Sequence, residues 1–333
     1  MDISILKQTV STLLPPTKGI LAADESSSTI KKRFEKIGLE SSPDTNLAYR
    51  KMLFTTPGIE EYLSGIILFD ETIRQDIEGI PVSKYLENKG IIPGIKVDKG
   101  AVSLPNFPDE KITEGLDGLA LRLEEYKQMG AKFTKWRAVI KIGEEIPTDT
   151  CLYANGEVLA RYAALAQAAG LVPIIEPEVI RDGNHDLIKC AEVTSYALKL
   201  IFEKIVTYKI ALEGLILKIN MATAGEDNSN QAEPDQIARA TMDALLASVP
   251  KEVPGIVFLS GGQTPDVATR NLNAVAQAGS PAGGWELSFS FARALQDEAL
   301  TTWSGKEENI EAAQKAFLER AQKVSLARQG KLS

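Results

Sequence analysis

The sequence predicts an α/β protein folded as a single (β/α)8 barrel, and three observations carry that reading. Eight short apolar runs recur along the chain, and amphipathic stretches with helical spacing separate them. The 333 residues are enough for a barrel of about 250 residues with additions.

The runs are Gly19 to Asp24, Gly65 to Asp70, Ile91 to Asp98, Lys132 to Ile142, Leu171 to Val179, Gly214 to Met221, Gly255 to Gly262 and Trp285 to Ala294. Each is strand-like in length and composition. Between them, Gly156 to Ala169, Leu187 to Tyr208 and Pro234 to Ser248 have helical periodicity, and the last opens on Glu233-Pro234, a common helix start. Strand–helix alternation implies parallel βαβ units, and eight of them suggest a closed TIM barrel. A doubly wound sheet is the rival. Its dinucleotide-binding form is weakened because no Gly-x-Gly-x-x-Gly follows the first strand. No linker, repeat or low-complexity tract divides the chain, so residues 1–333 are expected to form one domain. The end segments, Met1 to Lys18 and Thr301 to Ser333, read as extra helices packed outside the barrel.

Composition narrows the function. With 37 Lys+Arg against 45 Asp+Glu the formal charge is -8, which argues against a nucleic-acid partner. Two cysteines, Cys151 and Cys190, make no disulfide framework and suit a reducing cytosol. No signal-peptide pattern is present, and no apolar run approaches the roughly 20 residues that span a bilayer. The expected location is cytoplasmic. The chain has 1 histidine, too few for the usual zinc site. His185 sits in the polar, turn-like Arg181-Asp182-Gly183-Asn184 stretch and reads as a surface-loop residue. No Gly-x-Ser-x-Gly elbow supports a serine hydrolase. Lysine and carboxylate chemistry remains, with no metal and no cofactor expected.

Polar residues stand where a barrel core belongs. Strand side chains alternate faces, so Lys135 shares a face with Arg137, Glu176 with Glu178, Lys218 with Asn220, Lys96 with Asp98, and Ser288 with Ser290. Asp24 ends the first run and Ser260 the seventh strand. One such pair could point outward or form a buried ion pair. Pairs on this many strands, gathered toward their C-terminal halves, point to the end where barrel enzymes build active sites.

Lys218 lies in Leu215-Ile216-Leu217-Lys218-Ile219, and an apolar setting penalises the ammonium. Lys135 nearby would add like-charge repulsion. A free amine can attack a ketone and form an iminium ion, an electron sink that lets a carbon–carbon bond break. Glu176 and Glu178 offer a general base and a partner, and Asp24 could take a hydroxyl proton. Ser260-Gly261-Gly262 after the seventh strand and Arg293 at the end of the eighth suggest a phosphate site. Arg33, Lys96 and Arg137 with Ser26 and Thr29 could form a second. Two anion sites flanking one lysine fit a bisphosphate.

At this point the sequence resembles class I fructose-bisphosphate aldolase, from about Lys18 to Lys331. The motifs, in family order, are Gly19-Ile20-Leu21-Ala22-Ala23-Asp24-Glu25-Ser26, Gly94-Ile95-Lys96-Val97-Asp98-Lys99-Gly100, Lys135-Trp136-Arg137, Glu176-Pro177-Glu178, Leu212-Glu213-Gly214 leading to Lys218, Phe258-Leu259-Ser260-Gly261-Gly262-Gln263 and Arg293-Ala294-Leu295-Gln296. The resemblance implies a carbon–carbon lyase that reversibly cleaves fructose 1,6-bisphosphate to dihydroxyacetone phosphate and glyceraldehyde 3-phosphate, and a homotetramer. It implies Lys218 as the Schiff-base lysine, Glu176 as the acid/base assisted by Glu178 and Lys135, and Asp24 as the base at the C4 hydroxyl. Ser260, Gly261, Gly262, Ser290 and Arg293 then resemble the C1-phosphate site. Ser26, Thr29, Arg33, Lys96 and Arg137 resemble contacts near the C6 phosphate.

Three departures bear on this. The family's usual Lys-Pro-Asn is Lys218-Ile219-Asn220 here, which restores an N–H and is expected to tune rather than abolish the site. Ala292 replaces the usual glycine beside Arg293, and its methyl is expected to crowd the phosphate contact. The family's tail ending in tyrosine has no counterpart after Lys331, which implies another group or water for proton exchange at C3. The rival readings are a Schiff-base enzyme for another phosphorylated sugar, such as sedoheptulose bisphosphate, and a scaffold that keeps the fold without the activity. The Asp24, Lys135, Glu176 and Lys218 set argues against the scaffold.

Overall fold

The computed structural model describes residues 2–279 and 283–332. Eight parallel strands close into a barrel: β1 (Gly19–Ala23), β2 (Leu63–Leu68), β3 (Ile92–Lys96), β4 (Phe133–Ile140), β5 (Val172–Val179), β6 (Ile216–Ile219), β7 (Gly255–Phe258) and β8 (Glu286–Phe291). Each pairs with its sequence neighbour in the barrel, and β8 closes the ring on β1. The expected strands are all present; the fifth ends at Val179 as expected, and the others end earlier. The second is displaced toward the N-terminus, beginning at Leu63. Asp24 and Ser260 fall just beyond their strands, and Arg293 opens the following helix instead of ending β8.

The helices are α1 (Ile3–Leu13), α2 (Ser27–Glu35), α3 (Pro43–Phe54), α4 (Asp70–Ile73), α5 (Val82–Asn88), α6 (Leu119–Gln128), α7 (Asp149–Ala168), α8 (Leu187–Thr207), α9 (Pro234–Leu246), α10 (Pro265–Ala278), α11 (Arg293–Trp303) and α12 (Ile310–Arg328). Their starts follow local chemistry. Thr148 caps α7 through the Cys151 N–H, so α7 begins well before Gly156. Asp186 caps α8, Glu233 and Gln236 form a capping box on α9 ahead of Pro234, and Thr264-Pro265 opens α10. Two short antiparallel ribbons, Asp76–Ile77 with Ile80–Pro81 and Ala101–Ser103 with Lys111–Thr113, decorate the rim. The end segments are helical as expected, although Met1 and Ser333 lie outside the described residues. No helix among the described residues is long and apolar enough to cross a membrane.

Period-2 alternation splits the core in two. Outward residues such as Leu21, Ile66, Trp136, Leu217 and Phe258 pack under the helices. Inward residues Ile20, Ile67, Phe133, Val172, Ile174, Ile216 and Val257 fill the lower barrel, and Leu6, Val10 and Leu13 of α1 plug it from below. Arg328 ties α12 to the same end. Its guanidinium donates to the carbonyls of Leu287, Leu14, Pro15 and Lys18, and burial pushes its pKa down to about 10.

This packed floor forces polar side chains upward, and its tolerance is testable. A Cβ on Gly94 would meet the Phe133 ring at 2.2 Å, so the ring fits only because residue 94 has no side chain. Gly94→Ala is expected to destabilise the protein by about 1–3 kcal/mol through overpacking, read as a lower urea midpoint at unchanged m value.

Candidate active site

The inward positions of the upper barrel carry charge instead of hydrocarbon. The cavity at the C-terminal ends of the strands has a volume of about 1050 Å³ and is lined by Asp24, Ser26, Thr29, Arg33, Lys96, Lys135, Arg137, Glu176, Glu178, Lys218, Ser260, Gly261, Ser290 and Arg293. It thus gathers the sequence-identified residues except Gly262, which lies outside the lining. Gly262 has φ +81 and Gly261 φ +55, a left-handed turn that glycine adopts without strain.

At the centre is a buried chain of alternating charge. Lys135 Nζ lies 2.6 Å from Asp24 Oδ2 and 3.0 Å from Glu176 Oε2. Lys218 Nζ lies 3.0 Å from Glu176 Oε1. This corrects the sequence picture of Lys135 as a second amine repelling Lys218. Glu176 stands between the two amines and screens one from the other.

The electrostatics follow from that order. Burial opposes the charge on Lys135, but Asp24, Glu176 and Asp98 outweigh it and raise its pKa above the ordinary value. Burial likewise opposes ionisation of Asp24 and Glu176, yet Lys135 and Lys218 overcome it, and both carboxyls lie below their usual range. Lys135 is therefore a fixed cation, with Asp24 and Glu176 carboxylates on either side. Arg137 Nε donates to Glu178 Oε2 at 2.5 Å. Burial opposes its charge too, but Glu178 and Glu176 hold its pKa up.

Two anion-receptive regions flank this centre. On the β7 and β8 side, Ser260 follows its strand and the Ser290 hydroxyl is buried with no partner. Arg293 begins α11, whose N-terminus favours negative charge. Ala292 lines the cavity at φ -103, a backbone angle without left-handed strain, and its carbonyl accepts from the N–H groups of Leu295 and Gln296. On the opposite side Ser26, Ser28 and Thr29 cluster at the start of α2, with Ser26 Oγ 3.0 Å from Thr29 Oγ1. Lys96 reaches Asp98 Oδ1 at 2.6 Å.

Arg33 differs from its expected place as a phosphate contact. It reaches the cavity wall, but its guanidinium is held by Glu25 Oε1 at 2.5 Å, Gln296 Oε1 at 2.6 Å and Asp297 Oδ1 at 3.0 Å. Its charge is already balanced, so it joins α2 to α11 across the mouth.

Sequence reasoning gave no role to Glu25 or Lys32, and noted Asp98 and Asn220 only as same-face partners of Lys96 and Lys218. Asp98 accepts from the Gly100 and Arg137 N–H groups as well as Lys96. Lys32 lines the cavity, and its spacing of three from Thr29 along one helix face was the available signal. His185 is a loop residue as read but is half-buried, both ring nitrogens are enclosed, and burial followed by Arg181 lowers its pKa. Among the described residues no cluster of three or more His, Cys, Asp or Glu could hold a metal ion.

Ile219 has a definite place in the ladder. It pairs with Phe258, and its carbonyl accepts the Leu259 N–H. In a parallel ladder a residue turns N–H and C=O to the same neighbour, so the Ile219 N–H faces β7. A proline there would forgo that rung.

Comparison with known proteins identifies the family. The model of the family described as glycolytic, fructose-bisphosphate aldolase class-I, matches residues 5–333. A "Probable fructose-bisphosphate aldolase class 1" of Xanthomonas campestris pv. campestris is 50% identical over 99% of each chain. "Fructose-bisphosphate aldolase 4, cytosolic" of Arabidopsis thaliana is 48% identical over 95% of this chain and 80% of its own. A solved structure of fructose-bisphosphate aldolase from Plasmodium falciparum, in complex with TRAP and a small-molecule inhibitor, superposes with a TM-score of 0.96 at 44% identity, covering 99% of this chain and 95% of that one.

Proposed function

The chain belongs to the class I fructose-bisphosphate aldolase family, and we propose that Lys218 is the amine through which it performs that family's reversible, metal-independent cleavage of fructose 1,6-bisphosphate. The observation that supports this assignment is the chain Asp24–Lys135–Glu176–Lys218, buried at the C-terminal end of the barrel with each link between 2.6 and 3.0 Å.

Each role follows from position and charge. Lys218 gives a proton to Glu176 and adds its freed lone pair to the C2 ketone. Glu176 returns the proton to the departing hydroxyl, water leaves, and an iminium ion forms. Asp24 removes the C4 hydroxyl proton, the C3–C4 bond breaks, and its electron pair moves into the iminium to give an enamine. The aldehyde leaves as glyceraldehyde 3-phosphate. Protonation at C3 and hydrolysis of the iminium release dihydroxyacetone phosphate and free Lys218. Lys135 stays cationic throughout and keeps Asp24 and Glu176 ionised before each accepts its proton. Glu178 and Arg137 support Glu176 from the next rung.

The flanking anion sites orient the sugar. Ser260, Gly261, Ser290 and Arg293 take the C1 phosphate, with Gly262 shaping the turn behind them. Ser26, Thr29, Lys96 and Arg137 take the C6 phosphate, and Arg33 holds α2 in register. The same reading makes residues 1–333 one domain, places the protein in the cytoplasm and gives it the homotetrameric state of the family.

A cleavage assay tests the proposal. Fructose 1,6-bisphosphate is expected to yield both triose phosphates at the same rate with and without a strong chelator. Arg293→Ala is expected to raise KM for the bisphosphate by about tenfold or more, the scale of a lost charge-assisted hydrogen bond. Cleavage abolished by the chelator, or an unchanged KM, would oppose these roles.

A further inference from the structure

The barrel's ladder is interrupted at the height of the chemistry. Val172 donates its N–H to Lys132 O and Ile180 donates to Ile140 O, so the even-numbered residues of β5 face β4 and the odd-numbered ones face β6. Pro173 and Pro177 both fall on the side facing β6. Pairing with β4 runs through to Ile140 and Val179. Pairing with β6 stops after Ile216 with Ile174 and Leu217 with Ile175. The next rung needs an N–H from residue 177 to reach the Lys218 carbonyl, and proline has none.

One rung further up, a side chain takes over. The Val179 N–H, the next on β5 to face β6, donates to Asn220 Oδ1 at 2.9 Å. Asn220 is 4% exposed, and its amide nitrogen donates to the Met221 carbonyl at 3.2 Å and to Thr194 Oγ1 at 3.5 Å. We propose that Asn220 is a positioning residue whose side-chain amide replaces the rung that Pro177 removes and so sets the separation of Glu176 on β5 from Lys218 on β6.

Glu176 is thereby held from two directions. The intact ladder to β4 fixes it relative to Lys135. On the β6 side the ladder ends below it, and above that end the Glu176–Lys218 ion pair and the Asn220 amide tie the two strands, ahead of the loop contact in which the Glu226 N–H donates to the Arg181 carbonyl. The ion pair is used up by the reaction, since the amine commits its lone pair and protons to substrate. Asn220 takes no part in bond making and keeps the strand ends in place through that step. Val179 also lies one residue beyond Glu178, so the same amide steadies both carboxylates.

This inference rests on Lys218 being the nucleophile, and the experiment separates the two. Wild type, Asn220→Leu and Asn220→Asp are compared for kcat, KM, thermal midpoint and the rate of borohydride trapping with dihydroxyacetone phosphate. Leucine removes the acceptor for the Val179 N–H and adds no buried charge. Aspartate keeps an acceptor at that point but buries a charge, which costs stability. Asn220→Leu is expected to lose on the order of 10²-fold in kcat and in trapping rate with KM within about threefold of wild type, the signature of misplaced reacting groups. Asn220→Asp is expected to melt lower than Asn220→Leu yet retain more kcat. Activity that follows the melting order, or a leucine variant within about threefold of wild type in kcat, overturns the proposal. If Asn220→Leu does not fold, Asn220→Ala is read in its place, and failure of both to fold assigns Asn220 to the fold and overturns the proposal. Absence of a wild-type adduct at Lys218 sinks the nucleophile assignment instead.

Discussion

Lys218→Met is expected to lose on the order of 10⁵-fold or more in kcat, the scale seen when a covalent nucleophile is removed, while the protein stays folded. Methionine matches the length of the lysine stem and suits a strand that is buried throughout. The change removes one cation from Glu176 but leaves the other, since Lys135 Nζ stays 3.0 Å away. The stability cost is therefore small against the catalytic loss, on the order of 1 kcal/mol. Residual turnover should show no borohydride-trappable intermediate. A variant that keeps both turnover and trapping would move the chemistry to another residue.

Lys135→Met is expected to damage both fold and function, and the contrast between the two lysines carries the argument. Lys135 is the shared cation of Asp24 and Glu176. Without it buried Asp24 loses its paired ammonium and Glu176 is left with Lys218 alone. Removing one partner of a buried pair costs about 3–5 kcal/mol, and the loss of correctly charged acid and base groups should cost about 10²–10⁴-fold in kcat. The pH dependence has a definite sign. In wild type the Asp24 and Glu176 pKa values lie below the ordinary 3.8 and 4.5. Their contribution is full above those values and is lost as pH falls through the lowered folded ones. In the variant burial dominates at Asp24 and raises its carboxyl, so folding favours its protonated form, while Glu176 keeps Lys218. The stability gap between variant and wild type should narrow as pH falls through the carboxylate range. Urea unfolding at a series of pH values reads this directly, and a gap that widens toward acid would contradict the assignment.

The strands were legible because their outward faces must meet helices and their inward faces must fill a barrel. Runs such as Leu171 to Val179 are apolar on both sides apart from the residues that do chemistry. That exception made Glu176, Lys135 and Lys218 visible without coordinates. Strand ends were less legible, since apolar composition continues past the last rung at Leu259 and Met221. Partner choice was harder still. Arg33 and Arg137 look alike along the chain, yet Arg33 is claimed by Glu25, Gln296 and Asp297, and Gln296 is far from Arg33 in sequence. The same limit hid the true relation of the two lysines, because the carboxylate between them comes from a third strand. Asn220 was noticed only as a neighbour of Lys218. Its role depends on Pro177, whose missing N–H matters only once the register of β5 against β6 is known.

The most direct test of the central claim is to incubate the protein with dihydroxyacetone phosphate, reduce with borohydride and locate the added mass by peptide mapping. The account predicts one adduct, on the peptide carrying Lys218, and none in Lys218→Met. An adduct on Lys135 or elsewhere, or no adduct in a protein that still cleaves fructose 1,6-bisphosphate, would contradict it.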